Sequence, residues 1–311
     1  MGKKLFLPYL YLIFAIFLWA TIEIAIKSIQ DNTTPILINF LRFFIGGISL
    51  LIYNILSRNT HTLKNLIKSF PKSYLIASLF GLTIGMTLFA YGTSLTESFL
   101  AAAIISSNPL MISTYMILFK GEKRSLNKIF GIILGFFGMF AIITEFKFKD
   151  FLQLENLLGN ILVLIGTALW CIDLIIGKNL LDKAKENEEV GEVTSLDFNI
   201  VTFLTSSIFM IPFLFLPGQF STLLNQTWDT WLVLLYLGIL ATGISYFLFF
   251  KGIGKMEASK GINIVYLKPI FATILSFLIF NTSPSLYFYI GCGIEILALI
   301  IISYEKNDEK S

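Results

Sequence analysis

Apolar residues fill ten blocks of this chain almost without interruption, at about 5–27, 34–56, 71–92, 97–119, 126–145, 156–179, 196–216, 228–250, 258–280 and 285–303. A helix needs roughly twenty apolar residues to cross about 30 Å of hydrocarbon. Each block therefore predicts one transmembrane helix, and the ten are called segments 1 to 10 in chain order. Within a block the apolar residues run on continuously and do not alternate, which excludes the pattern of a membrane β-barrel. The connections are short and rich in charge, Pro, Gly and Asn, leaving no room for a soluble domain. Segment 1 is too long for a secretory signal and no small-residue cleavage site follows it, so it is expected to be retained as a helix.

Composition agrees with this reading. Of 311 residues 56% are hydrophobic and only 14% charged, which is too apolar and too charge-poor for a soluble globular domain. The two cysteines, Cys171 and Cys292, both fall inside segments and read as small buried apolar residues, not as a disulfide or a thiolate metal site. No cofactor is implied.

The basic residues set an expected orientation. With the N-terminus inside, eighteen of the 23 lysines and arginines fall on the inner side, on connections or segment ends; Lys27, Lys147 and Lys149 fall on the outer side, and only Arg42 and Lys268 remain, well inside segments. Such a bias matches ten spans with both termini cytoplasmic, in a cell (plasma) membrane. The net charge of +3 is then a topology signal and not a nucleic-acid footprint. The acidic stretch at 182–192 reads as a solvated inner loop.

The chain also repeats itself. LWATIEIAIK (18–27) returns as LWCIDLIIGK (169–178), so that Trp19 recurs as Trp170 and Lys27 as Lys178, with an acid in each copy at Glu23 and Asp173. At a spacing of 160, Gly92, Glu97, Pro109 and Gly131 recur as Gly252, Glu257, Pro269 and Gly291. The prediction is an all-α integral membrane protein of two five-helix halves, residues 1–150 and 151–311. Five is odd, so the second half enters the bilayer upside down, as an inverted repeat. That architecture implies a substrate site between the halves, opened alternately to either side. No phosphate loop supplies ATP: the nearest spacing, Gly238 to Gly243, is followed by Ile244 where a lysine is needed. An enzyme is not expected, because the single histidine, His61, lies in an inner connection and no HExxH or GxSxG spacing occurs.

Together these residues resemble the EamA-type members of the drug/metabolite transporter superfamily. The resemblance rests on the W-x7-K pattern of Trp19 to Lys27 and Trp170 to Lys178, Arg42-Phe43, the Gly92 to Pro109 block with its partner Gly252 to Pro269, and FKGEKRSLNKIFGIILGFFG at 119–138. It implies a central cavity lined by segments 1–4 and 6–9, with segments 5 and 10 at the edge. It also implies movement of a metabolite or amino acid, commonly export. Two departures stand out: Gly121-Glu122 becomes Asn281-Thr282 in the second half, and Ala20-Thr21 follow the first tryptophan. A nucleotide-sugar or other organic-anion antiporter of the same superfamily, or a channel-like facilitator, is the alternative.

Candidate cavity residues follow from the cost of charge in lipid, roughly 2.5–3.5 kcal/mol at a helix centre. Trp19, Glu23 and Lys27 share one helix face, and Trp170 and Asp173 form a similar pair. In segment 2, Asn39, Arg42, Gly46, Ser49 and Tyr53 make a polar stripe expected to line the cavity. Arg42 either holds a substrate carboxylate or pairs with Glu23 or Asp173. Lys268 precedes Pro269 and its repeat mate is Asn108, before Pro109; the pair is expected to face across the cavity, with Lys268 attracting an anionic group. Tyr91, Tyr246, Asn263 and Tyr266 complete the predicted lining. Gly131, Gly135 and Gly138 in segment 5, matched by Gly291, Glu295 and Ala298 in segment 10, read as a packing stripe for a peripheral helix or a homodimer seam. Glu295 is a further candidate for proton coupling.

Overall fold

The structure, a computed structural model, describes residues 3–57, 60–119, 126–144, 156–186, 193–253, 265 and 267–303. Among them all regular structure is helical, as backbone groups in hydrocarbon require. Seven continuous runs are long and apolar enough to cross a membrane: Leu7–Ile29, Pro35–Leu56, Pro71–Ser94, Leu126–Thr144, Leu157–Ala184, Ser195–Phe215 and Trp228–Gly252. They coincide with segments 1–3 and 5–8. Segments 9 and 10 are the shorter helices Leu267–Phe280 and Leu286–Ser303.

Segment 4 is divided into Ser98–Ser106 and Asn108–Phe119. Pro109 has no N–H to return to the Ile105 carbonyl one turn back, and this breaks the ladder at Ser107. Segment 1 is also broken, into Lys3–Ala20 and Ile22–Ile29. The break falls at Thr21, whose hydroxyl bonds the Leu18 carbonyl at 2.6 Å and the Tyr236 hydroxyl at 2.5 Å. Segments 3 and 8 each widen into π-helical turns, at Ala77–Gly85 and Ile239–Ile244. A connection read as a loop holds a short helix, Thr60–Ser69, that buries Leu63 and Leu66.

Capping explains where several helices begin. Thr34 accepts from the Leu37 N–H before Pro35–Leu56, and Thr194 and Asp197 form a reciprocal capping box before Ser195–Met210. Asn281 stands where the first half has Gly121; it ends Leu267–Phe280 with φ 55, a left-handed geometry that asparagine tolerates.

Glycines set how closely the helices approach. A Cβ on Gly92 would lie 2.6 Å from the Gly159 carbonyl and the Val163 nitrogen, and one on Gly166 would lie 2.6 Å from the Gly85 carbonyl. Segment 6 thus runs antiparallel to segment 3, backbone against backbone. Gly92→Ala would force these backbones apart at an overpacking cost of about 1–3 kcal/mol. A clear drop in unfolding temperature in detergent is expected, and an unchanged one would refute this packing.

Segments 5 and 10 likewise close on each other. Gly131 lies against Ala298 and Ile302, and Gly138 against Gly291 and Glu295. The glycine stripe is therefore occupied within one chain, where these residues serve the packing of the two peripheral helices. On the outside, side chains such as Ile133 (63% exposed) and Leu278 (70%) form an apolar jacket suited to lipid.

Polar bonds tie both ends of the bundle. At one end Lys27 donates to the Thr96 carbonyl at 2.7 Å, Thr96 to Asn160 at 2.7 Å, and Gln226 to Thr33 at 2.9 Å. At the other, Asp197 accepts from Thr62 at 2.8 Å.

Candidate functional site

Near the middle of the bundle lies a cavity of about 10 Å³, room for about one water. Six of its ten lining residues are repeat mates of one another. Trp19 and Trp170 meet edge to face with ring centroids 5.9 Å apart, and both line the space. Met86 with Tyr246, and Ile105 with Val265, are further lining pairs, each separated by the same 160 positions that relate the two halves. Arg42 and Lys268 supply its two cations. Phe43 and Phe203, also 160 apart, have rings 5.1 Å from each other, so the equivalent faces of the halves meet at the centre.

The proline breaks open the wall. Ile105 and Val265 are the residues whose carbonyls Pro109 and Pro269 cannot bond, and both border the cavity. Irregular backbone at this depth is tolerated beside a polar space or inside protein.

The charges pair differently from either expected bridge of Arg42. Lys268 Nζ donates to Glu23 Oε1 at 2.5 Å, and both side chains are almost wholly buried. Arg42 forms no ion pair with a described residue; its Nε donates to the Thr242 hydroxyl at 2.7 Å, in the widened turn of segment 8. Among the described residues this is the only hydrogen-bond partner of the guanidinium's five donors, and the group lines the cavity. Glu23 Oε2 and the Trp19 indole nitrogen lack a hydrogen-bond partner. A buried ion pair with an unsatisfied oxygen is poised for exchange of partners, because desolvation offsets much of its Coulombic gain.

Of the predicted lining residues, the cavity gathers Trp19, Arg42, Trp170, Tyr246 and Lys268. Glu23 joins through Lys268. Asn39 does not: its amide is bonded to the Leu82 carbonyl and the Thr87 hydroxyl, which fixes segment 2 to segment 3. The rest of the polar stripe also departs from expectation. Gly46 and Ser49 pack against the widened turn of segment 8, and Tyr53 is 50% exposed, so only Arg42 of that stripe reaches the space. Tyr91 is exposed on the surface of segment 3, away from the lining. Asn108 and Asp173 are buried, and Asn108 lies behind the wall with its carbonyl 3.8 Å from Cys171 Sγ; it does not face Lys268 across the cavity. Asn263 and Tyr266 lie outside the described residues. Met86 and Phe89, which line the space, and Thr242, which holds Arg42, were missed, since nothing in an apolar residue or a threonine of a membrane helix marks it for either part.

An apolar helical bundle folded around a small ionic chamber is the architecture of an integral membrane transporter. The chain belongs to the EamA-like transporter family, which matches it twice, over residues 6–144 and 157–304. It is similar to an uncharacterized transporter of Archaeoglobus fulgidus, 24% identical over 97% of this chain and 98% of that one. It also resembles the uncharacterized transporter YoaV of Bacillus subtilis, at 22% over 89% and 91%, and a chloroplastic WAT1-related protein of Arabidopsis thaliana, at 22% over 99% and 72%. One crystal structure superimposes with a TM-score of 0.64 at 20% identity, covering 98% of both chains. That likeness concerns the fold alone.

Proposed function

We propose that this transporter is a secondary carrier that moves a small metabolite, an amino acid or a related carboxylate-bearing solute, by alternating access, with export as its working direction. The observation that carries the reading is the small central cavity, with three pairs of repeat mates in its wall together with Arg42 and Lys268. A space for one water admits no metabolite, so binding requires the halves to part, and the polar ties at both ends of the bundle are what must break in turn.

The ten-span arrangement as two inverted halves, residues 1–150 and 151–311, belongs to the same proposal. The antiparallel contact of segments 5 and 10 supports it, because repeat mates run in opposite directions only when one half is inverted. Both termini then lie in the cytoplasm and the protein in the plasma membrane, in keeping with the basic residues on inner connections.

In the cavity Arg42 would take the solute carboxylate through charge-assisted, fork-like hydrogen bonds, while the two indoles enclose its apolar part. Counterflow in proteoliposomes with each of the twenty proteinogenic amino acids is the test. Saturable exchange of internal for external solute is expected for at least one of them. Flux that does not saturate would mark a channel instead, and exchange confined to nucleotide sugars or other organic anions added to the panel would favour the antiporter.

A further inference from the structure

Each half carries an acid about one turn after its tryptophan, Glu23 four positions after Trp19 and Asp173 three after Trp170, and the two are treated differently. Glu23 of segment 1 meets a cation, Lys268 of segment 9. The residue that stands 160 positions before Lys268 is Asn108, in segment 4. An asparagine carries no charge to match a carboxylate. Asp173 is 1% exposed and its Oδ1 has no hydrogen-bond partner, and Asn108 Oδ1 has none either.

The surroundings of Asp173 contain no described cation. Segment 3 presents Gly81, whose added Cβ would lie 2.7 Å from the Asp173 Cβ, so bare backbone of a π-helical turn covers the acid. Segment 4 brings Asn108 against Cys171, two residues before Asp173 along the same helix. Segment 8 presents Tyr246, whose phenol lies in the field of both Arg42 and Asp173. On its own helix the neighbours are Trp170 and Cys171. The cavity's cations are turned elsewhere, Lys268 to Glu23 and Arg42 to Thr242. A carboxylate sealed from water without a counter-ion is far costlier than the neutral acid.

We infer that Asp173 is a proton-exchanging site of the transport cycle, neutral in the closed form described here and ionised when segments 3 and 6 part and water reaches it. The step is a simple dissociation, in which the carboxylic O–H breaks, the electron pair stays on Asp173 and the proton goes to water. Each turnover would then carry one proton, coupling solute movement to the proton gradient. The coupling rests on the carrier reading above, whereas the protonation does not.

The test has two arms, both on the full-length protein in liposomes. In the first, infrared spectra at neutral pH are compared for wild type, Asp173→Asn, Glu23→Gln and Glu295→Gln, the last because Glu295 is the other buried acid with an unpartnered oxygen. A protonated-carboxyl C=O band is expected to be lost in Asp173→Asn and kept in Glu23→Gln. If Asp173→Asn leaves the whole protonated-carboxyl region unchanged, the proposal is overturned whatever the transport results. Should that variant fail to fold, Asp173→Glu is used, and its band is expected to move in frequency; an unmoved band overturns the proposal equally.

In the second arm, accumulation of the twenty amino acids under a pH gradient is expressed relative to counterflow in the same vesicles. That ratio is expected to respond to the gradient in wild type and to lose the response in Asp173→Asn. A response that survives the substitution overturns the coupling. No counterflow in wild type, with the band still lost in the variant, would strike the amino-acid reading and leave the proton site standing.

Discussion

Lys268→Met is expected to abolish transport and to lower stability by about 3–5 kcal/mol, the usual cost of leaving one partner of a buried ion pair alone. Methionine has nearly the length of lysine but no charge, so Glu23, wholly buried against Lys268, is left as an uncompensated carboxylate. Folding and transport are separated by the double variant Glu23→Leu, Lys268→Met. Replacing both members by apolar residues is often neutral or stabilising, so the unfolding temperature is expected to recover while counterflow stays absent. If the single variant is as stable as wild type and transports normally, Lys268 has no part in the mechanism. If the double variant transports, the pair only holds helices together.

Arg42→Lys is expected to keep the fold and to weaken solute binding by roughly 10–100-fold, read as a rise in the half-saturation concentration of counterflow. Lysine preserves the charge but loses the planar fork, and a hydrogen bond to a charged group is worth about 1.5–3 kcal/mol. It also loses the Nε donor to Thr242, which aims the guanidinium. Thermal unfolding in detergent serves as the control. An unchanged half-saturation would show that Arg42 acts as a bare point charge or does not meet the solute.

The seven long spans could be read from the sequence because apolar run length is a direct consequence of bilayer thickness. The repeat was equally legible, since Trp19 and Trp170, or Pro109 and Pro269, recur at fixed spacing. The proline announced the division of segment 4. Nothing announced the division of segment 1, where Thr21 bonds Tyr236, 215 residues away. Pairing was hidden for the same reason. Helical spacing puts Glu23 and Trp19 on one face, but the choice of Lys268 over Arg42 as partner depends on how segments 1, 2 and 9 come together. The stripe on segment 2 misled because Asn39 and Ser49 can satisfy themselves on neighbouring helices as well as on a solute, and periodicity does not distinguish the two.

The π-helical turns of segments 3 and 8 sit at comparable places in the two halves, one against Asp173 and the other against Arg42. A π turn holds one surplus residue. When it relaxes to α geometry, its i→i+5 hydrogen bonds are exchanged for i→i+4 ones and the helix beyond it screws by one position, about 100° and 1.5 Å. Each half thus contains a point of register change at the chamber wall. One click in segment 8 would turn Thr242 off the guanidinium, and one in segment 3 would slide Gly81 off the acid, so that the parting of the halves and the release of the two groups become one motion.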